Sequence, residues 1–380
     1  FDERLKIDFG AFGSSQQDEK IFDIQALSYS TAAMNPTLPF HKTGNGWQRN
    51  GNASQIGPTE PLLFERNDEK NLTFNSHLQL SLQLTHNLHL AALGSYSYTS
   101  TENGRFAPTW VWAQGLAYRG ERKTEDILGN ISLDWKYRWG INKLSTTILA
   151  EYQKKKIAAF WTQVKGLTNN YFGYDNLGAA SDRPYGGTGS SYADPSLTSF
   201  MGTLTYTLLD RYTLNLTTRA DGSSMVGKDH TWGIFPSISA TWDMKKESFL
   251  RNNKSISLLN LRTGYGRSGN LGGISSYLTL RQYIPVGLIS YNGTPTVTMG
   301  TLRNSNPDLR WETRSTFNIG TDLGLFNNRL LLTAEYYYSK TTDMLYEYDV
   351  PVPTFAFDKL LANIGSMSNS GFELSLIHIS

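Results

Sequence analysis

The chain has 380 residues, with 35 Lys+Arg against 33 Asp+Glu, and its net charge of +2 predicts no nucleic-acid partner. It contains no cysteine, which excludes a disulfide framework and a thiolate metal site. Charged residues make up only 18%, low for a soluble surface, and no run of eighteen apolar residues is present to form a transmembrane helix.

Taken from the N-terminus, the chain begins Phe1-Asp2-Glu3 with no Met and no signal peptide. We therefore expect an internal piece of a longer exported protein. From residue 72 onward, runs of about ten residues alternate with a two-residue period, the pattern of a strand with one apolar face. Leu72, Phe74, Leu78, Leu80, Leu82 and Leu84 share a face opposite Thr73, Asn75, His77, Gln79, Ser81 and Gln83. Leu88, Leu90, Ala92, Gly94, Tyr96 and Tyr98 follow. Then Ile131, Leu133, Trp135, Tyr137 and Trp139 stand opposite Asn130, Ser132, Asp134, Lys136 and Arg138. Leu144, Ile148, Ala150 and Tyr152 come next, then Leu204, Tyr206 and Leu208, then Tyr212, Leu214 and Leu216. Leu259, Leu261 and Tyr265, then Phe317, Ile319, Leu323 and Leu325, then Leu330, Leu332, Ala334, Tyr336 and Tyr338 complete the series.

The connectors alternate in length. Thr85-His86-Asn87, Gly140-Ile141-Asn142, Leu209-Asp210-Arg211 and Phe326-Asn327-Asn328 are short, whereas 14–70, 100–124, 155–197, 268–310 and 341–368 are long. One short-side connector, 244–256, is longer, and Glu247-Ser248-Phe249-Leu250 is expected to form a helical turn within it. Aromatic residues gather at both strand ends: Trp139, Trp242, Tyr206 and Tyr212 near short turns, Tyr96, Tyr98, Tyr152, Trp232, Tyr265, Tyr336 and Tyr338 near long loops. An aromatic ring with a polar tip suits a bilayer interface, so two belts with aliphatic residues between them predict a transmembrane antiparallel β-barrel. Roughly a dozen strands are visible, and a barrel of about 22 strands is the size of a plugged transporter, so an incomplete wall is expected. A soluble β-protein would use shorter strands of about five or six residues.

Chemistry is sparse. His86 and His89 straddle a strand turn, and Gly227-Lys228 is followed by Asp229, so it fails as a phosphate loop. Gly266-Arg267-Ser268-Gly269-Asn270 lacks the second glycine of a nucleophile elbow. Asp134 and Glu335 lie on polar faces, where lumen lining is the simpler role. We expect no enzyme, no catalytic residue, no metal and no cofactor. The candidate ligand contacts are loop aromatics: Trp110, Trp112, Trp161, Tyr171, Phe172 and Tyr174.

Several segments, in order, resemble the SusC/RagA family of TonB-dependent outer-membrane transporters. They begin with Met34-Asn35-Pro36-Thr37 and continue with Arg219-Ala220-Asp221-Gly222-Ser223-Ser224 and Gly227. Trp232-Gly233-Ile234-Phe235-Pro236-Ser237, Ala240-Thr241-Trp242, Glu247-Ser248-Phe249-Leu250 and Leu261-Arg262-Thr263-Gly264-Tyr265-Gly266 follow. Asn306-Pro307-Asp308-Leu309-Arg310-Trp311-Glu312, Asn318-Ile319-Gly320 and Leu325-Phe326-Asn327-Asn328-Arg329-Leu330 come next. Tyr336-Tyr337-Tyr338, Lys340-Thr341-Thr342-Asp343, Asn363-Ile364-Gly365 and Asn369-Ser370-Gly371-Phe372-Glu373 close the set. Met225-Val226 departs from the family's basic residue and Phe. Asp221-Gly222-Ser223-Ser224 reads as a tight turn, and Pro236 requires a bulge or an unpaired stretch.

The resemblance implies residues 1–374 as part of a TonB-dependent receptor barrel in the outer membrane of a Gram-negative, Bacteroidetes-type bacterium. It also implies import of an oligomeric nutrient such as a glycan, a SusD-like surface lipoprotein as lid, and coupling to the TonB-ExbB-ExbD complex through a plug-bearing N-terminal region. The alternatives are a passive porin and a soluble carbohydrate-binding β-protein. Residues 375–380, Ser-Leu-Ile-His-Ile-Ser, resemble translated sequencing adapter and are expected to be a foreign tail.

Overall fold

The computed structural model describes residues 4–21, 23–35, 37 and 59–378. Strand β1 (Leu5–Glu19) is followed by helices α1 (Ile24–Ala33) and α2 (Thr59–Phe64). Then come β2 (Arg66–Thr85), β3 (Leu88–Ala107), β4 (Leu116–Trp139) and β5 (Asn142–Leu167). Two short strands, β6 (Ala180–Asp182) and β7 (Thr188–Ala193), precede β8 (Ser196–Leu208), β9 (Tyr212–Ser223), β10 (Trp232–Asp243) and β11 (Ile256–Asn270). The hairpin β12 (Tyr283–Tyr291) and β13 (Thr294–Thr301) leads to β14 (Glu312–Leu325), β15 (Leu330–Asp349) and β16 (Lys359–His378).

Twelve of these strands form one antiparallel path, β1-β2-β3-β4-β5-β8-β9-β10-β11-β14-β15-β16. The two ends, β1 and β16, are not paired with each other, so the wall is open. Strands β6 and β7 pair with the upper half of β5, and β12–β13 form a separate two-stranded sheet.

Apart from local shifts at Gln83/Thr85, Ile256/Leu258 and Thr341–Leu345, register carries the apolar face across the wall. Leu5 pairs with Leu82, Leu82 with Leu90, Leu90 with Leu133 and Leu133 with Ile148. On the other side, Leu204, Leu216, Ile238, Tyr265, Phe317 and Tyr338 follow one another in a single row. Because the side-chain period is two, a one-residue shift at any ladder would turn an apolar face inward. The short-turn belt is a run of ring contacts: Trp135–Tyr137 at 5.7 Å, Tyr137–Trp139 at 5.4 Å, Trp139–Tyr206 at 6.4 Å and Tyr212–Trp242 at 6.1 Å. At the other end Phe200 stacks on Trp232 at 6.0 Å.

The expected strand lengths need correction. β5 has 26 residues and β4 has 24, beyond the 9–11 or so of a membrane span. Much of the expected long loops 100–124 and 155–197 is strand: residues 100–107, 116–124 and 155–167 belong to β3, β4 and β5. Beyond the membrane neither face meets lipid: some positions face water, while Ala107, Ala117 and Val164 are buried under loop residues, so the polarity period fades while backbone pairing continues. Of the expected tight turn at Asp221-Gly222-Ser223-Ser224, only Ser224 lies in a turn; the first three residues are strand, with Gly222 opposite Trp232 and Ser223 opposite Leu197. A Cβ on Gly222 would lie 2.9 Å from the Trp232 ring, so this glycine admits a close ring rather than a turn. Pro236 sits where β10 leaves β11, whose ladder begins at Ser237, so its missing N–H faces an unpaired stretch, as expected.

The short turns are tight. Leu209 and Asp210 (φ 56° and 55°) and Phe326, Asn327 and Asn328 (φ 52°, 58° and 62°) adopt the left-handed region. Asn and Asp tolerate it through local side-chain hydrogen bonds. In the longer connector, the Leu250 and Arg251 amides donate to the Glu247 carbonyl, which makes the expected helical turn. The Glu247 carboxylate accepts from Tyr212 Oη, from Trp242 Nε1 at 3.0 Å and from Arg211 Nη1 at 2.9 Å. These donors, Tyr212 first, hold its carboxyl below the usual carboxylate range. A depressed folded-state pKa means its contribution is complete above the unfolded value near 4.5 and is lost as pH falls through the folded value. Hydrogen exchange of residues 244–255 should therefore accelerate below about pH 4.5. In Glu247→Gln exchange should be fast already at neutral pH with the acid step gone. A wild-type profile in the variant would refute the role of the charge.

Ser375–His378 continue β16 opposite Leu330–Thr333. Phe1–Glu3, Pro36 and Ile379–Ser380 lie outside the described residues.

Candidate functional site

At the long-loop end, the sequence-predicted aromatics divide into three places. Trp110 and Trp112 lie in the 108–115 loop, where Trp110 meets Phe64 edge-on at 5.8 Å and Trp112 Nε1 donates to the Glu65 carboxylate. Burial raises the Glu65 pKa, and the Trp112 bond opposes that shift. Tyr174 belongs to the 168–179 loop, and its hydroxyl donates to Asp68. Arg66 covers its ring at 4.8 Å and donates to its oxygen at 3.1 Å. Burial first, then the bond to Asp68, pushes the Tyr174 pKa up to about 12. Trp110, Trp112 and Tyr174 thus all gather on segment 64–68. Tyr171, 91% exposed, stands at the loop tip with Phe172 against it at 5.4 Å.

Trp161 is separate and is not a loop residue. It lies within β5, opposite Gly120 and Gly189, and a Cβ on Gly189 would fall 2.4 Å from its ring. Alternation gives it the face shared with Glu151, away from the apolar belt. The two loops are stitched: the Thr109 amide donates to Asn170 Oδ1 at 3.0 Å and Asn170 Nδ2 donates to Thr109 Oγ1 at 2.9 Å. Beneath them lies a cleft of about 580 Å³ that includes Asp68, Glu102, Arg119, Phe160 and Tyr174. By alternation Asp68, Glu102, Arg119 and Phe160 lie on the outer face of the wall, and the Tyr174 ring is packed between Arg66 and Gly104, so this cleft offers carboxylates, a guanidinium and the Phe160 ring.

The inner face is more organised than sequence alone reveals. Arg262 bridges Asp322 (3.1 Å) and Glu335 (2.7 Å), joining β11, β14 and β15. Arg219 joins Asp221 (2.7 Å), Glu151 (3.2 Å) and Ser199 (2.9 Å) across β9, β5 and β8. Asp134 accepts from Thr147, so the two carboxylates noted from sequence belong to separate structural networks. A polar hollow of about 460 Å³ is lined by Arg314, Thr316, Asn318, Tyr337 and Asn369 among others.

The motifs that carried the resemblance meet as one interlock. The Gly227 amide donates to the Leu309 carbonyl at 2.7 Å, and Trp311 Nε1 donates to the Thr231 carbonyl at 3.3 Å. Phe235 packs edge-on to Trp311 at 5.4 Å. Asn363 Nδ2 donates to the Arg310 and Asp343 carbonyls at 2.8 and 2.7 Å, and Arg310 pairs with Asp343 at 2.8 Å. Val226, Ile274, Leu278 and the fully buried Leu309 form the apolar centre.

A twelve-stranded, lipid-faced wall with a polar interior and a loop-bearing end defines a large transmembrane barrel. Residues 8–378 match the family model described as TonB dependent receptor-like, beta-barrel, and the chain belongs to that family. Family members of this class are outer-membrane transporters and receptors rather than enzymes. TonB-dependent receptor P3 of Formosa agariphila is 30% identical over 368 residues, covering 93% of this chain and 35% of that protein. TonB-dependent receptor SusC of Bacteroides thetaiotaomicron is 37% identical over 190 residues, 48% of this chain and 18% of that protein. The chain thus spans about a third or less of the length of these relatives. The RagAB peptide transporter structure superimposes with a TM-score of 0.79 at 21% identity over 99% of this chain and 42% of that chain, a likeness of fold. The SusC/RagA resemblance read from the motifs agrees with these relatives.

Proposed function

We propose that this chain is the barrel wall of an active outer-membrane importer for an oligomeric nutrient, a glycan, in a Bacteroidetes-type bacterium. The carrying observation is the interlock of residues 219–236 with 306–312 and 363. It ties the loop-bearing end into a fixed frame around the polar inner face, as a surface that captures cargo requires. Coupling runs through TonB-ExbB-ExbD, and a SusD-like lipoprotein closes the loops. Hairpin β12–β13 supports the lid reading. Residues 283–302 carry no Asp, Glu, Lys or Arg, and Tyr283, Leu288, Val297 and Met299 are more than 45% exposed. The ion-paired inner face with its polar hollow suits a hydroxyl-rich ligand. Peptide is the competing cargo, because the RagAB proteins of similar fold are a peptide transporter and importer.

The test is uptake of labelled oligosaccharides and labelled peptides by the source bacterium with and without this gene. Loss of oligosaccharide uptake, with wild-type uptake stopped by a protonophore, is the expected result. Uptake that persists under the protonophore would favour a passive porin. Loss of peptide uptake alone would replace the glycan.

A further inference from the structure

One row of the outer face differs from its surroundings. Arg267 on β11, Ser315 on β14, Lys340 on β15 and Ser368 on β16 are consecutive cross-strand neighbours. Alternation puts all four on the face that carries the aromatic row two residues below, Tyr265, Phe317 and Tyr338. Those rings are 40–45% exposed, as lipid-facing belt residues are. From Leu325, beside the short turn, to Ser315 is ten residues along β14, roughly 34 Å of strand. At a tilt of about 40° this is about 25 Å of height, the thickness of a barrel's apolar band. The row therefore stands where acyl chains give way to headgroups.

Both cations are exposed. Among the described residues neither has an ion pair, whereas three outward lysines nearer the long-loop end of β4 and β5 are neutralised. Lys123 pairs with Glu121 at 2.8 Å, Lys154 with Asp194 at 3.3 Å and Lys156 with Glu125 at 3.9 Å. The nearby carboxylates are already engaged, Asp343 with Arg310 and Glu312 with Asn270 and the Leu345 amide. β11 and β15 are two strands apart, roughly 9.5 Å, with Ser315 between them. Their long side chains can lay their stems over the rings and carry their charges to one point above Ser315.

We propose that Arg267, Lys340 and the Ser315 hydroxyl bind the phosphate of an outer-leaflet glycolipid, fixing a lipid to the β11–β15 segment of the barrel. Unpaired positive charge facing an anionic headgroup layer is the complementarity that selects this occupant, and a charge-assisted bond from a guanidinium to phosphate is the strong form of that contact. The inference rests on the membrane placement of the wall and is independent of the cargo.

The experiment uses the full-length protein in nanodiscs, with bound lipid counted by native mass spectrometry. The probes are monophosphorylated lipid A, the same lipid without its phosphate, and inorganic phosphate as competitor. We expect wild type to retain the phosphorylated lipid at least tenfold better than the dephosphorylated one, with no displacement by inorganic phosphate. Arg267→Gln/Lys340→Gln should lose that preference, and so should Ser315→Asp, which puts a negative charge into the row. Lys123→Gln/Lys156→Gln, which removes the same charge elsewhere, should keep it. Equal retention of the two lipids by wild type would overturn the proposal without recourse to any variant. Displacement by inorganic phosphate, or undiminished preference in a folded Arg267→Gln/Lys340→Gln protein, would overturn it as well.

Discussion

Arginine in place of Ile131 is expected to prevent assembly of the full-length barrel. Ile131 is half exposed on the apolar face of β4, in one row with Leu80, Ala92 and Ala150. The row lies between the Trp135–Tyr137–Trp139 stack and the outward charges that begin at Glu125, so it is near the bilayer midplane. A guanidinium there costs about 2–4 kcal/mol, and small neighbours offer it no counter-charge. The matched control is Asn130→Arg, one residue away on the inner face and opposite Glu151. It adds the same charge to a polar surface beside a carboxylate. Heat-modifiable gel migration of protein recovered from outer membranes reads both. Ile131→Arg should lack the folded band and Asn130→Arg should keep it. A folded band of wild-type intensity for Ile131→Arg would refute the orientation of the entire wall.

That orientation was readable in the sequence because lipid imposes the two-residue period on every span. Leu72 to Leu84 or Ile131 to Trp139 need no partner to reveal their faces. The upper halves of the strands are hidden for the opposite reason: no lipid lies against residues 116–124 and 155–167, where Ala117 and Val164 are buried under loops and Arg122 and Lys155 are exposed, so they carry no period and Trp161 reads as a loop residue. The β12–β13 hairpin did leave a signal, Asn292-Gly293 with φ of 50° and 77° between two β-rich runs, the pairing that two-residue hairpins favour. It lies inside a segment, 268–310, that reads as a long loop. The inner-face networks could not be read at all. Arg262, Asp322 and Glu335 are far apart in sequence, and only the register that sets Arg262 opposite Gly320 brings the three together. Of the candidate aromatics, sequence identified the type of residue but not the grouping. Trp110, Trp112 and Tyr174 converge because Phe64, Glu65, Arg66 and Asp68 hold them, and none of those four stands out in the sequence.

A second substitution should separate the wall from what is built on it. A Cβ at Gly227 would lie 2.0 Å from the Pro307 carbonyl oxygen and 3.2 Å from that of Leu309. Both obstacles are backbone, so no side-chain rotation relieves them. The Gly227 amide bond to Leu309 is the contact that must open. Gly227→Ala is therefore expected to drive residues 224–231 away from 306–311, at a cost of about 1–3 kcal/mol or more for an overpacked site. The loss should remain local. The lipid-facing rows are untouched, so the folded band on the gel should persist while amide exchange in both segments rises by at least tenfold. Trp311, which reaches the Thr231 carbonyl across the same junction, supplies a second readout through its fluorescence. If the interlock frames the capture surface, uptake should fall in this variant although the barrel is intact. Unchanged exchange in both segments would mean that the close approach of Gly227 to Pro307 is not what holds the loops.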